Sequence, residues 1–205
     1  MSNDVLAFTV PFEQEIKNFL TEYQIPFEEH CESFTKLDFC YTATKSNFQF
    51  HFDVKEKRQR YAADNWPMNG KKEENVFILD DLGARKTVKF APNSGIIIRD
   101  TLHKRYIFFS VVDLFLIPKI RVNRNINRNQ PELKGKWLID LRHGVSCDTL
   151  EKTFLAVKNY VLSQDEIFNK YLACYGIYVE ENISGGGITR IAEHWDKDVY
   201  STRSK

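Results

Sequence analysis

Asp53 and Lys55 stand two residues apart in Phe48-Gln49-Phe50-His51-Phe52-Asp53-Val54-Lys55, where apolar residues alternate with polar ones. A period of two is the mark of a β-strand, and it sends both side chains off one face, about 6–7 Å apart. Asp38 lies in a second alternating run, Leu37-Asp38-Phe39-Cys40-Tyr41-Thr42, on its more polar face. Two carboxylates and an amine on neighbouring strands suit phosphodiester hydrolysis. The carboxylates offer hard oxygen ligands to Mg²⁺ and leave positions for water and a phosphate oxygen. The ion lowers the pKa of its water, and a lysine beside that water can orient it and stabilise developing negative charge. A third carboxylate from a helix would complete the ligand set, and Glu13 and Glu15 lie near the start of an expected helix.

The bare Asp/Glu-x-Lys string occurs three times, at Glu15-Ile16-Lys17, Asp53-Val54-Lys55 and Glu132-Leu133-Lys134. The first falls in a helix and the third in an irregular loop after Pro131, which leaves the second. The competing reading is an ordinary solvated strand face of Gln49, His51, Asp53 and Lys55, with its charges screened by water. His51 reads as a hydrogen-bonded surface residue before it reads as an outer partner of a metal.

The elements that must position these groups follow from periodicity. Phe12, Ile16, Phe19, Leu20 and Tyr23 form one stripe and predict a helix over 11–24, with Thr9 as its cap and Pro11 in the first turn. Extended segments are expected at 26–33, 36–43 and 47–57, the last two forming an antiparallel hairpin through Lys45-Ser46-Asn47. A polar loop is expected over 58–75 and a helix over 76–90, although Gly83 weakens it. Short strands are expected at 96–98 and 137–142, a longer one at 106–118, and a polar loop at 121–136. Asp113, inside the apolar run, reads as a capped or paired structural acid. A helix over 149–171 completes a mixed α/β sheet flanked by helices. Residues 1–183 read as one domain, and 184–205, with its three consecutive glycines, as a flexible extension.

Residues 11–57 resemble the PD-(D/E)XK, or restriction-endonuclease-like, nuclease superfamily, and the next hundred match it only in element order. The resemblance rests on Phe12-Glu13-Gln14-Glu15-Ile16, Leu37-Asp38-Phe39 and Phe52-Asp53-Val54-Lys55. It implies a core order α-β-β-β-α-β and a metal-dependent endonuclease acting on DNA. Asp38, Asp53 and Glu13 would hold Mg²⁺, or Mn²⁺ in its place, and Lys55 would orient the water. The helix pattern is similar to that of archaeal Holliday-junction resolvases, and its register picks Glu13 over Glu15. Leu37 replaces the family's Pro, and Asp53 replaces the more usual Glu with a shorter arm. A catalytically inactive module that kept the scaffold for nucleic-acid binding or complex assembly is the alternative.

Composition sets bounds on these expectations. The chain has 205 residues, 42% of them apolar, with 29 Lys+Arg against 28 Asp+Glu, so any basic surface must be local. Candidates for phosphate contact are Lys57 at the end of the expected strand, Arg58 just after it, and Arg121, Arg124 and Arg128 in the basic loop. Cys31, Cys40, Cys147 and Cys174 show no zinc spacing and read as free thiols of a cytoplasmic protein. No membrane span, secretory signal or nucleotide-binding glycine motif is apparent. A DNA partner is expected, and a homodimer is compatible with the reading.

Overall fold

The structure is a computed structural model that describes residues 10–33, 35–43, 48–68, 70–125 and 133–167. The chain divides into two compact units, Met1–Tyr160 and Val161–Lys205. The second is described only through Ile167. The extension expected at 184–205, the Thr9 cap, the turn at 45–47 and Arg128 lie outside the described residues.

The first unit opens with helix α1, Phe12–Glu22, which buries Phe12, Glu15, Ile16, Phe19 and Leu20. Strands β1 (Phe27–Glu29), β2 (Phe39–Ala43) and β3 (Phe48–Lys57) follow as an antiparallel meander. After β3 come β4 (Val76–Asp80), α2 (Asp81–Lys89) and β5 (Ser94–Asp100). Strand β5 lies parallel to β3, which pairs Asp53 with Ile96 and Lys55 with Ile98. The crossover from β3 to β5 carries α2, as parallel neighbours require. The order α1-β1-β2-β3-α2-β5 is the core element order expected from the sequence, with β4 inserted before α2.

Strand β6 (Arg105–Ser110) and α3 (Val111–Leu116) follow, then β7 (Ile120–Asn125), β8 (Leu133–Asp140), β9 (Val145–Cys147) and α4 (Leu150–Ile167). They complete a six-stranded mixed sheet, β1-β2-β3-β5-β6-β9, and a three-stranded sheet, β4-β8-β7. One face of the large sheet carries aromatic rings against helices: Phe19 of α1 stacks on Phe154 of α4 at 4.8 Å, and Phe154 meets Phe52 at 5.8 Å. On the other face, Ile96, Ile98, Ile107 and Phe109 share a core with Phe77, Leu79, Trp137 and Ile139 of the small sheet and with Ala84 of α2. The layers are therefore helices, large sheet, and small sheet with α2.

Three expectations change. The helix expected over 76–90 is β4 followed by α2, because Val76-Phe77-Ile78-Leu79 is a continuous apolar run and Val76, Phe77 and Leu79 are buried. The strand expected over 106–118 stops at Ser110, whose hydroxyl caps α3. Asp113 N donates to Ser110 Oγ at 3.0 Å, and Asp113 returns the bond in a capping box. The polar loop expected over 121–136 is largely the hairpin of β7 and β8, paired from Ile120–Leu138 to Asn125–Leu133.

Gly95 shows how tightly the central strands pack. A Cβ there would lie 2.6 Å from the Phe109 carbonyl oxygen and 2.8 Å from the Phe108 ring. The nearer obstacle is backbone, which cannot swing aside. Gly95→Ala is expected to cost about 1–3 kcal/mol of stability, read as a lower urea midpoint.

Candidate active site

The β2–β3 pairing sets Phe39 opposite Phe52 and Cys40 opposite His51. One step beyond the ladder, Asp38 comes beside Asp53. Asp38 is anchored by a hydrogen bond from the Val54 backbone N–H to its Oδ2 at 2.9 Å. The carboxyl groups of Asp38 and Asp53 lie within hydrogen-bonding reach of each other.

Between them sits the Lys55 ammonium. Its Nζ is 2.7 Å from Asp53 Oδ2 and 3.3 Å from Asp38 Oδ2, and it donates to the Val54 carbonyl at 3.0 Å. Three oxygens, two from side chains and one from the backbone, thus converge on one positive charge. The Val54 carbonyl is a member of this set that side-chain patterns cannot reveal.

The solvated-face reading does not survive. Asp53 is only 2% exposed and Lys57 fully buried, because α2 and the small sheet cover this side of β3. Gly83 of α2 faces Asp53: a Cβ there would lie 3.5 Å from Asp53 Oδ2. Burial pushes the Asp53 carboxyl up to about 7, with Lys55 pulling it down and neighbouring Asp38 adding to the rise. For Lys55, burial acts to lower the pKa, but Asp53 and Asp38 together outweigh it and hold the ammonium above its ordinary value. His51 stacks on Phe90 at 4.2 Å, and burial holds its ring below the usual histidine range.

The structure brings together Asp38, Asp53 and Lys55, and leaves Glu13 out. Glu13 is exposed at the start of α1, and among the described residues no three His, Cys, Asp or Glu side chains group around a metal position. The neighbour on the stripe, Glu15, is the buried acid. It accepts hydrogen bonds from Arg99 and from the Tyr106 hydroxyl, on the opposite face of the sheet from Asp53. Arg99 also pairs with Glu56. This network ties α1 to β3 and β5 and is structural. The sequence signal was present, since positions 12, 15, 16 and 19 form one helical stripe.

The expected phosphate contacts divide. Lys57 is corrected: its ammonium is buried, donates to the carbonyls of Val76 and Glu73, and is pushed down to about 8 by burial. Arg58 is exposed and pairs with Glu56. Arg121 and Arg124 are exposed on β7, where Arg121 pairs with Asp81 and Arg124 donates to the Asn65 carbonyl. Cys31, Cys40 and Cys147 are free thiols, and no described helix is long and apolar enough to cross a membrane.

No family model matches the chain, and no curated protein matches it. Among solved structures, the chain is similar to a Holliday junction resolvase from the archaeal hyperthermophile Archaeoglobus fulgidus. The identity is 12% and the TM-score 0.37, over 63% of this chain and 93% of that one. It is also similar to a nuclease from a fusselovirus, at 8% identity and a TM-score of 0.41, over 74% of this chain and 88% of that one.

Proposed function

We propose that this chain is a Mg²⁺-dependent endonuclease hydrolysing phosphodiester bonds in DNA, with Mn²⁺ able to replace Mg²⁺. The observation that supports it best is the convergence of Asp38, Asp53 and the Val54 carbonyl on one cation, here the Lys55 ammonium. An all-oxygen donor set of this kind suits a hard divalent ion that keeps several waters. Asp38, Asp53 and the Val54 carbonyl would hold it, and it would supply charge neutralisation at the phosphate and a more acidic water. Lys55, half-exposed and tethered to the same strand, is the group available to orient that water. Arg121 and Arg124 are candidates to hold flanking phosphates, and the free thiols fit a cytoplasmic setting.

Asp38→Ala and Lys55→Ala are each expected to lower Mg²⁺-stimulated cleavage of a DNA substrate by at least about 10²-fold, with circular dichroism unchanged. Full cleavage by both purified variants would refute the assignment.

One observation favours a second reading, a catalytically inactive module of the same fold. The Lys55 ammonium already satisfies the carboxylate pair, and Glu13 does not join it. Calorimetric titration with Mn²⁺ separates the two, since heat of binding that vanishes in Asp53→Asn is expected only of a working metal site.

A further inference from the structure

Beyond the C-terminal end of β3, the chain folds back over the outer face of the small sheet. Tyr61, Trp66 and Met68 pack there against Val76, Ile78 and Leu138. They leave a cleft of about 540 Å³ whose lining includes Tyr61, Trp66, Ile78, Arg124 and Lys136, with Asn65 and Asn125 also contributing. The Tyr61 and Trp66 rings meet edge to face at 6.3 Å, and the Tyr61 hydroxyl is held by the Ile78 backbone. The Arg124 guanidinium lies over the Trp66 ring, 4.7 Å from its centroid, and one of its amino groups donates to the Asn65 carbonyl.

The surrounding flank is basic. Lys134 and Lys136, on the same face of β8 as Leu138, both pair with Asp80, which shares the Ile78 face of β4. With Arg124, three cations lie on the cleft's side of the small sheet.

We propose that this cleft binds an unpaired nucleobase of a single-stranded nucleic acid, stacked against Trp66 and Tyr61, with Arg124 taking the adjoining phosphate. Aromatic rings stack on any base once it is unpaired, and an arginine beside them adds both stacking and a phosphate contact. Amide side chains at Asn65 and Asn125 can donate to and accept from a base edge. An aromatic cage for an alkylammonium is disfavoured, because Arg124 and Lys136 already place two positive charges beside the rings. A proline-rich peptide would need the aromatic walls but not the three cations beside them.

The proposal deepens the nuclease reading, on which only the link between the cleft and cleavage depends. Asp53, Lys55 and Lys57 leave the same face of β3, and Lys57 Nζ lies 5.4 Å from the Tyr61 ring centroid. Asp53 and Lys57 are four residues apart, or roughly 13 Å along the strand. The ligand itself is inferred from the cleft's own walls, so binding can be tested without catalysis.

The 205-residue chain in a chelating buffer would be titrated into a fluorescently labelled short oligothymidylate, followed by anisotropy, with a duplex of equal length as comparison. The single strand is expected to bind more tightly than the duplex. Trp66→Ala is expected to weaken it at least tenfold, and Trp66→Phe to recover most of that loss. Arg124→Gln, at an exposed side chain that does not endanger folding, is expected to weaken binding and flatten its salt dependence. An oligouridylate arm shows whether DNA or RNA is preferred, and tighter binding than the duplex in either arm supports the assignment. Equal affinity for single strand and duplex, or unchanged affinity in both Trp66→Ala and Arg124→Gln, would overturn it. So would quenching of tryptophan emission by a proline-rich peptide but not by the oligonucleotides. Failure of metal-dependent cleavage would leave these binding results standing, so the two readings fail separately.

Discussion

Asp53→Asn is expected to abolish metal-stimulated cleavage and, in the metal-free protein at pH 8, to raise the melting temperature. Asp53 is almost wholly buried beside a second carboxylate, and burial, partly opposed by Lys55, raises its folded pKa from 3.8 to about 7. Between those values the folded chain keeps a proton that the unfolded chain has released. Stability therefore falls as pH rises through that window, and the deficit is complete above about 7. Asparagine carries no charge to bury, so the variant escapes the deficit. The gain is expected to be on the order of 1–2 kcal/mol, moderated because Lys55 loses one of its carboxylates, and to appear as a rise of a few degrees. Near pH 4 the difference should disappear. A lower melting temperature than wild type at pH 8 would mean that the ion pair with Lys55 outweighs the burial cost.

The same proton ties metal binding to pH. A cation needs both carboxylates ionised, so binding below pH 7 must expel the Asp53 proton. Mn²⁺ affinity is expected to fall about tenfold per pH unit below 7 and to level off above it. Calorimetry in two buffers of different ionisation enthalpy would count the proton directly. Binding that is flat between pH 5 and 7 would show that the raised Asp53 carboxyl is not a ligand.

Arg99→Met is expected to be the most destabilising single replacement at the α1 interface. Arg99 is 1% exposed and is bonded to Glu15, Glu56 and the Val10 carbonyl. Its guanidinium also lies 5.0 Å from the Phe12 ring centroid. Methionine keeps the bulk and removes the charge, which leaves the buried Glu15 carboxylate and the half-buried Glu56 carboxylate without their shared partner. Breaking a buried pair from one side costs about 3–5 kcal/mol, on the order of 10 °C in melting temperature for a unit of this size. Pairing Arg99→Met with Glu15→Gln is expected to recover part of the loss, since one of the stranded charges goes with it. A double variant no more stable than the single one would place the role of Arg99 in packing.

The contrast between Glu13 and Glu15 shows where sequence reasoning reached its limit. Both acids lie in the first turn of α1, and either could have reached toward Asp38. The helical stripe carries Glu15 inward, where Arg99 and Tyr106 receive it, and leaves Glu13 in solvent. Deciding between them required knowing that an arginine waits at the end of β5, 84 residues away. Lys57 is a similar case. Its place in a basic run at the end of β3 predicts a phosphate contact, but the Val76 carbonyl of β4 and the Glu73 carbonyl before it take the ammonium.

Local alternation by itself determined the hairpin of β2 and β3, the shared face of Asp53 and Lys55, and the amphipathic helix before them. These depend on the period of side-chain direction along one segment, which the order of residues records completely. The fate of each face was decided only by tertiary structure. The small sheet assembles from β4, β7 and β8, separated by up to about sixty residues, and its polar strands resemble loops until they pair. Its packing turns a polar strand face into a buried carboxylate pair, raises the Asp53 carboxyl, and opens an aromatic cleft on its far side. Burial is a property of whatever lies across the face, and no spacing within a segment encodes its covering.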